Sequence, residues 1–195
     1  LSTESVYREA QVDWAASQQR SKKDLYPEGD EVVLTQGFIG GTSDGRSTSL
    51  GREGSDYTAA ILANIFDARQ VIIWKDVPGV LNADPRFFSE TQKLDRISYQ
   101  EALELSYYGA KIIHPKTIKP LQNKGIPLNV RSFIEPEKEG TLITEHKKYD
   151  GDKPIFILKP GQVLISILPK DFSFVVEERL SKIYGLFARH RLKVN

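Results

Sequence analysis

Short apolar runs alternate with alanine-rich or amphipathic segments between residues 32 and 133, and this alternation constrains the fold more than any other feature. Val32 to Thr35 and Val71-Ile72-Ile73-Trp74 are too short for helices and carry no polar alternation, so both read as buried strands. Ser55 to Ala68 is rich in alanine; its Tyr57, Ala60, Ile61, Asn64 and Phe66 show no strand periodicity, and it reads as a helix. Ser98 and Glu101 stand in capping-box spacing, which predicts a helix over 98–108. Gly109 supplies its stop. Pro115 suits the first turn of another helix, ending near Gly125. Leu128 to Phe133 and Thr141 to Thr144 are further strand candidates. Such an order describes an α/β domain with a mainly parallel sheet.

Residues 3 to 20 read as a loop and then a helix with Ala10, Trp14 and Ser17 on one face; Pro27 to Asp30 breaks the chain. A charged stretch from Glu145 to Asp152 reads as a linker. Beyond it, Pro154 to Leu158 and Val163 to Leu168 resemble strands. Phe172, Val176, Leu180, Ile183 and Phe187 form one stripe of an amphipathic helix over 172–190. Leu192-Lys193-Val194 resembles a strand that is cut off, so a truncated second domain is expected.

Composition narrows the function classes. Net charge is +1, from 27 basic and 26 acidic side chains, which argues against a nucleic-acid partner. There is no cysteine, and His114, His146 and His190 lie far apart, so no metal centre is expected. No apolar run is long enough for a membrane helix. The cysteine-free composition suits an intracellular compartment; because the chain begins at Leu1, the lack of a leader carries no weight.

Ligands of open α/β sheets bind at strand ends. The loop from Gln36 to Asp56 is glycine-rich and runs into a predicted helix, whose free N–H groups and dipole favour an anion. Gly51 and Gly54 would let backbone approach a ligand. Arg52 can grip a carboxylate or phosphate with two parallel hydrogen bonds. Asp56 falls in the first helical turn, where it caps N–H groups or orients cations. The loop Lys75 to Arg86 follows a strand, with Asp76 able to meet a base or ribose and Arg86 a phosphate. Taken alone, the segment is better read as a turn with a surface salt bridge. Lys111, in Gly109-Ala110-Lys111-Ile112-Ile113-His114-Pro115, could neutralise a phosphoryl group or simply be a solvated lysine.

In order and spacing, Thr35-Gln36-Gly37-Phe38, TSLGREGSDYT from Thr48, IWKDVPGVLNADPR from Ile73, SYQEALELSYYGAKIIHP from Ser98 and Gly140-Thr141-Leu142-Ile143 resemble the aspartate kinase family. The resemblance implies the three-layer αβα amino-acid kinase (carbamate-kinase-like) fold with a mainly parallel sheet, followed by a truncated α+β ACT-like module. The implied division is the C-terminal part of the catalytic domain at 1–145, a linker at 146–153 and the ACT-like regulatory start at 154–195. It also implies a reaction. ATP would phosphorylate the side-chain carboxylate of L-aspartate to 4-phospho-L-aspartate, the first step of lysine, threonine and methionine biosynthesis. A sister kinase acting on glutamate or acetylglutamate, or an ACT-type sensing and dimerisation module, are the alternatives.

By the same resemblance, Arg52 binds an aspartate carboxylate, Glu53, Gly54 and Ser55 complete that wall, and Phe38 lines the pocket. Asp56 and Lys111 are the catalytic pair, with Asp56 organising lysines. Lys75, Asp76, Leu81, Arg86, Lys111 and Ile112 contact the nucleotide. Magnesium is held by phosphates and water. Lysine or threonine is the implied effector, ACT domains the implied homo-oligomer contact, and the cytoplasm (in a plant, the plastid) the implied location. Two positions depart from the family pattern: Lys75 stands where threonine is usual and Leu81 where tyrosine is usual. The family's lysine-led Gly-Gly-Thr-Ser motif is missing, since Phe38-Ile39 precede Gly40-Gly41-Thr42-Ser43, so the 195 residues alone are expected to be inactive.

Overall fold

The computed structural model describes residues 1–6, 9–26, 29–108, 112–145, 153–167 and 177–192. Contacts divide the chain into two compact units, Leu1–Lys159 and Pro160–Asn195.

The first unit contains, in order, α1 (Trp14–Asp24), β1 (Ile39–Gly41), β2 (Ser47–Ser49), α2 (Gly54–Ile65), β3 (Val71–Lys75), β4 (Arg96–Ser98), α3 (Tyr99–Tyr108), α4 (Pro115–Gln122), β5 (Leu128–Ser132) and β6 (Thr141–Thr144). Four strands form a mixed, mostly parallel sheet in the order β3-β5-β6-β4. Strand β3 runs parallel to β5 and β4 parallel to β6, while β5 and β6 are antiparallel. The long crossover between β3 and β5 contains α3 and α4, as parallel pairing requires. The antiparallel pair needs only a short connection, and it demands glycine at 140. A Cβ there would lie 1.7 Å from the Val130 carbonyl oxygen. Strands β1 and β2 form a separate antiparallel hairpin.

The capping box is formed in full. Ser98 N–H donates to Glu101 Oε2 at 2.7 Å, and Glu101 N–H donates to Ser98 Oγ at 3.1 Å. Helix α1 starts at Trp14 because Asp13 accepts from Ala16 N–H, and it runs to Asp24, four residues past the expected end. Helix α4 begins with Pro115 after the His114 cap. One core joins Ala60 and Ala63 of α2, Ile73 of β3, Leu105 of α3, Ile118 and Leu121 of α4, and Leu128 and Val130 of β5. A smaller cluster of Leu50, Ile61 and Ile65 packs against Leu1 and Val12.

Three strand expectations fail for the same reason. Val32 and Leu34 are 94% and 96% exposed and belong to no strand, since no described segment pairs with them. Residues 154–158 and 163–167 likewise find no partner ladder. Strand β3 forms as expected but is buried on one face only: Val71 and Ile73 are in the core, whereas Trp74 is 45% exposed. Arg131 instead lies over the Trp74 ring at 5.1 Å. Residues 153–159 pack with the first unit. Phe156 N–H donates to Asn82 O at 2.8 Å, Asn82 Nδ2 donates to Pro154 O at 3.2 Å, and Phe156 stacks on Phe88. Residues 146–152 of the expected linker, and the helix stop at Gly109, lie outside the described residues.

The second unit carries α5 (Glu177–Arg189), with Ile183 and Phe187 of its expected stripe half-buried and Leu180 exposed. Phe172 and Val176 of that stripe lie outside the described residues.

The loop after β3 is fixed to the sheet by one buried hydroxyl. Thr141 Oγ accepts from Val80 N–H at 2.8 Å and donates to Leu94 O at 2.6 Å, and Thr141 is fully buried. Replacing it by valine keeps the shape but leaves one donor and one acceptor dry. We expect Thr141→Val to lower the unfolding free energy by about 1–3 kcal/mol in urea melts. A midpoint and slope equal to wild type would show that the hydroxyl does not hold this loop.

Candidate active site

Two segments converge at the start of α2. The first is Gly37-Phe38 before the hairpin, and the second is Leu50 to Glu53. Phe38 O accepts from Leu50 N–H at 2.9 Å, and Phe38 N–H donates to Thr58 Oγ at 3.0 Å. Thr58 Oγ in turn donates to Gly54 O at 2.8 Å, one turn back in α2. The hairpin is thereby stapled to the helix start. Glycines make the staple feasible. A Cβ on Gly54 would meet Phe38 Cδ2 at 2.8 Å, and one on Gly37 would meet Ser55 Cα at 3.0 Å.

Phe38 and Glu53 both hold left-handed backbone, with φ of 74° and 53°. Non-glycine residues rarely do so, and such strain concentrates at functional sites. Glu53 is the N-cap of α2 yet makes no side-chain cap, and its Oε2 is buried without a hydrogen-bond partner. Arg52 and Ser55 are exposed, and no described residue bonds to the Arg52 guanidinium. The first turn of α2 thus offers an exposed cation, a desolvated carboxylate oxygen and helix N–H groups within five residues.

Asp56 reaches the other loop. Lys75 Nζ, at the end of β3, donates to Asp56 Oδ2 at 2.6 Å, with side chains 24% and 15% exposed. Asp76 is exposed beside it. Leu81 is half-buried and bridges to Lys93. Arg86 forks onto Asp84, with Nε 3.0 Å from Oδ1 and Nη2 2.6 Å from Oδ2. That exposed bond pushes the Arg86 pKa further up. It is the surface salt bridge that such a turn makes by default. Ile112 is half-buried and lines a small apolar cavity with Val80, Leu105 and Ser106, so its side chain serves the core. Lys111 lies outside the described residues.

The structure therefore brings Phe38, Glu53, Gly54, Asp56 and Lys75 together, and it leaves Arg86 engaged elsewhere. Thr58 and Leu50 were missed by sequence reasoning; the Gly54-to-Thr58 spacing of one helical turn is the signal that could have found the first. An open cleft of about 200 Å³ between residues 35–41 and α2, and another of about 470 Å³ between Trp14, Tyr57 and α4, include none of the expected contact residues. Among the described residues no three carboxylate or imidazole side chains cluster as a metal cage. No described helix is long and apolar enough to cross a membrane.

Residues 3–132 match the model of the amino acid kinase family. The chain is 37% identical over 201 aligned residues to the lysine-sensitive aspartokinase 3 of Escherichia coli (strain K12), covering 100% of this chain and 43% of that relative. A crystal structure of E. coli aspartokinase III in complex with aspartate and ADP (R-state) superposes with a TM-score of 0.76 at 33% identity, over 100% of this chain and 44% of that one. The complex of the same enzyme with lysine and aspartate (T-state) gives 0.70 at 33% identity, over 97% and 42%. The chain spans less than half the length of these relatives. With a mixed, mostly parallel sheet flanked by helices and a family match over two-thirds of its residues, the chain belongs to the amino acid kinase family.

Proposed function

We propose that the protein carrying this chain is an aspartate kinase, transferring the γ-phosphoryl group of ATP to the side-chain carboxylate of L-aspartate. The observation that supports this best is the stapled first turn of α2, where Arg52, Glu53 and the Asp56–Lys75 pair meet. The relative solved with aspartate and ADP matches all of this chain over 44% of its own length.

In this reading Arg52 grips one aspartate carboxylate. Phe38, Glu53, Gly54 and Ser55 shape the wall around it, and their strained, close-packed backbone fixes the wall before substrate arrives. The attacking carboxylate is already ionised at neutral pH, so no general base is needed. Asp56 organises cations instead, Lys75 among them and Lys111 by the family pattern. Lys75, Asp76, Leu81, Arg86 and Lys111 take the nucleotide, with Ile112 beside its phosphates and the Ile112 side chain kept in the core, and Arg86 must leave Asp84 to do so. Magnesium accompanies the nucleotide on phosphate oxygens and water. The product, 4-phospho-L-aspartate, would open lysine, threonine and methionine biosynthesis in the cytoplasm or plastid. Residues 1–145 would be the C-terminal part of the catalytic domain and 154–195 the start of an ACT-like regulatory domain that pairs subunits. The 195 residues alone are inactive in this reading.

Three measurements test it. The complete protein in which this chain occurs should form aspartate-dependent acyl phosphate, trapped as a hydroxamate; a better signal with glutamate or acetylglutamate would assign it to a sister kinase. Arg52→Ala should raise KM for aspartate roughly 10- to 150-fold, matching about 1.5–3 kcal/mol for charged hydrogen bonds. Arg52→Lys should recover little of that, because a point charge lacks the two-pronged geometry. An unchanged KM in Arg52→Ala would remove Arg52 from the substrate wall. Lysine is the expected effector, since the E. coli aspartokinase that matches all of this chain, and of which the chain spans 43%, is lysine-sensitive. Calorimetry on the complete protein should show heat with lysine, and heat with threonine alone would reassign the effector.

A further inference from the structure

The Asp56–Lys75 ion pair ties together two elements 19 residues apart, the first turn of α2 and the end of β3. Both side chains are largely withdrawn from water, at 15% and 24% exposure. An ammonium has three N–H donors. One goes to Asp56 Oδ2, and the other two meet no acceptor among the described residues. Asp56 therefore fixes the position of a long, flexible side chain without exhausting its hydrogen-bonding capacity.

That position matters because of what surrounds it. Asp56 is the third residue of α2, so the Lys75 ammonium sits at the helix end where backbone N–H groups favour an anion. The neighbouring Trp74 ring carries Arg131 over it at 5.1 Å. Threonine, usual at this place in the family's nucleotide motif, would present a neutral hydroxyl on a short stem and could not reach Asp56 as an ion pair. Lysine changes the chemistry of the position from a neutral contact to a fixed positive charge.

We propose that Lys75 is a phosphate-binding lysine, held by Asp56, that offers its two remaining N–H donors to the terminal phosphate oxygens of the nucleotide. Asp56 acts on the nucleotide through Lys75 and is a positioning residue for it. The pair also makes the aspartate wall and the nucleotide loop one electrostatic unit, because Asp56 directly follows the wall residue Ser55 and Lys75 opens the nucleotide loop. This inference rests on the kinase reading above.

The test compares ADP with adenosine by calorimetry on the complete protein, with magnesium present. Lys75→Thr should weaken ADP roughly tenfold or more, as loss of a charge-assisted phosphate contact implies, and leave adenosine unchanged. Lys75→Arg should keep most of the ADP affinity, because the charge is retained. Should Lys75→Thr not fold, Lys75→Gln, which keeps most of the stem, serves the same comparison. Equal losses for ADP and adenosine would place Lys75 on the base or ribose and overturn the proposal. No loss for either would leave the pair as a purely structural tie and overturn it too. Wild-type protein that binds neither ligand would overturn the kinase reading and this inference with it, whereas wild-type ADP binding with an indifferent Lys75→Thr removes only the inference.

Discussion

The close approach of Phe38 to Gly54 is the contact on which the site depends. It exists because residue 54 lacks a Cβ, and it brings the hairpin onto α2 before any ligand is considered. Thr58 then satisfies the Phe38 N–H from inside the helix, which holds the hairpin in register. The same helix presents Ala60 and Ala63 to the main core and Ile61 and Ile65 to the smaller one. One twelve-residue helix thus connects the substrate wall at its start to both hydrophobic clusters along its length. A disturbance at Gly54 would be felt in the hairpin and the site together.

The sheet is more one-sided than a three-layer architecture alone suggests. Val71, Ile73, Leu128, Val130 and Ile143 fill the helix-packed face, while Ile72, Trp74, Asn129, Arg131 and Leu142 are half-buried or exposed. The buried oxygen of Asn129 and the Nε of Arg131 lack partners on that second face. This second face is where the one-sided burial of β3 originates.

Much of the fold was legible where the governing signal is local. The capping box at Ser98 and Glu101, the proline that opens α4, and the strand runs at 71, 128 and 141 all depend on near neighbours in sequence. Val32 to Thr35 was misread because a strand is a property of a pair: its side chains suit a sheet, and no described ladder receives it. Trp74 was misread as buried because an unbroken apolar run does not say which faces are covered. In the site, Arg52 and Asp56 could be picked out by their place at a helix start. The Asp56–Lys75 bond could not, since nothing in the sequence announces that the first turn of α2 and the end of β3 touch. Lys75 stood out as a nucleotide contact and as a departure from the family pattern, and the geometry adds Asp56 as its partner.

The left-handed backbone at Phe38 and Glu53 sets selection for heat resistance against selection for turnover. Glycine at either place would relieve a strain of about 1 kcal/mol, so a screen for thermal survival alone rewards it. The same change deletes the aromatic ring or the carboxylate that the strained backbone aims at the start of α2. Variants gathered under the two pressures should therefore diverge at these two positions first, even where the remainder of the domain evolves alike.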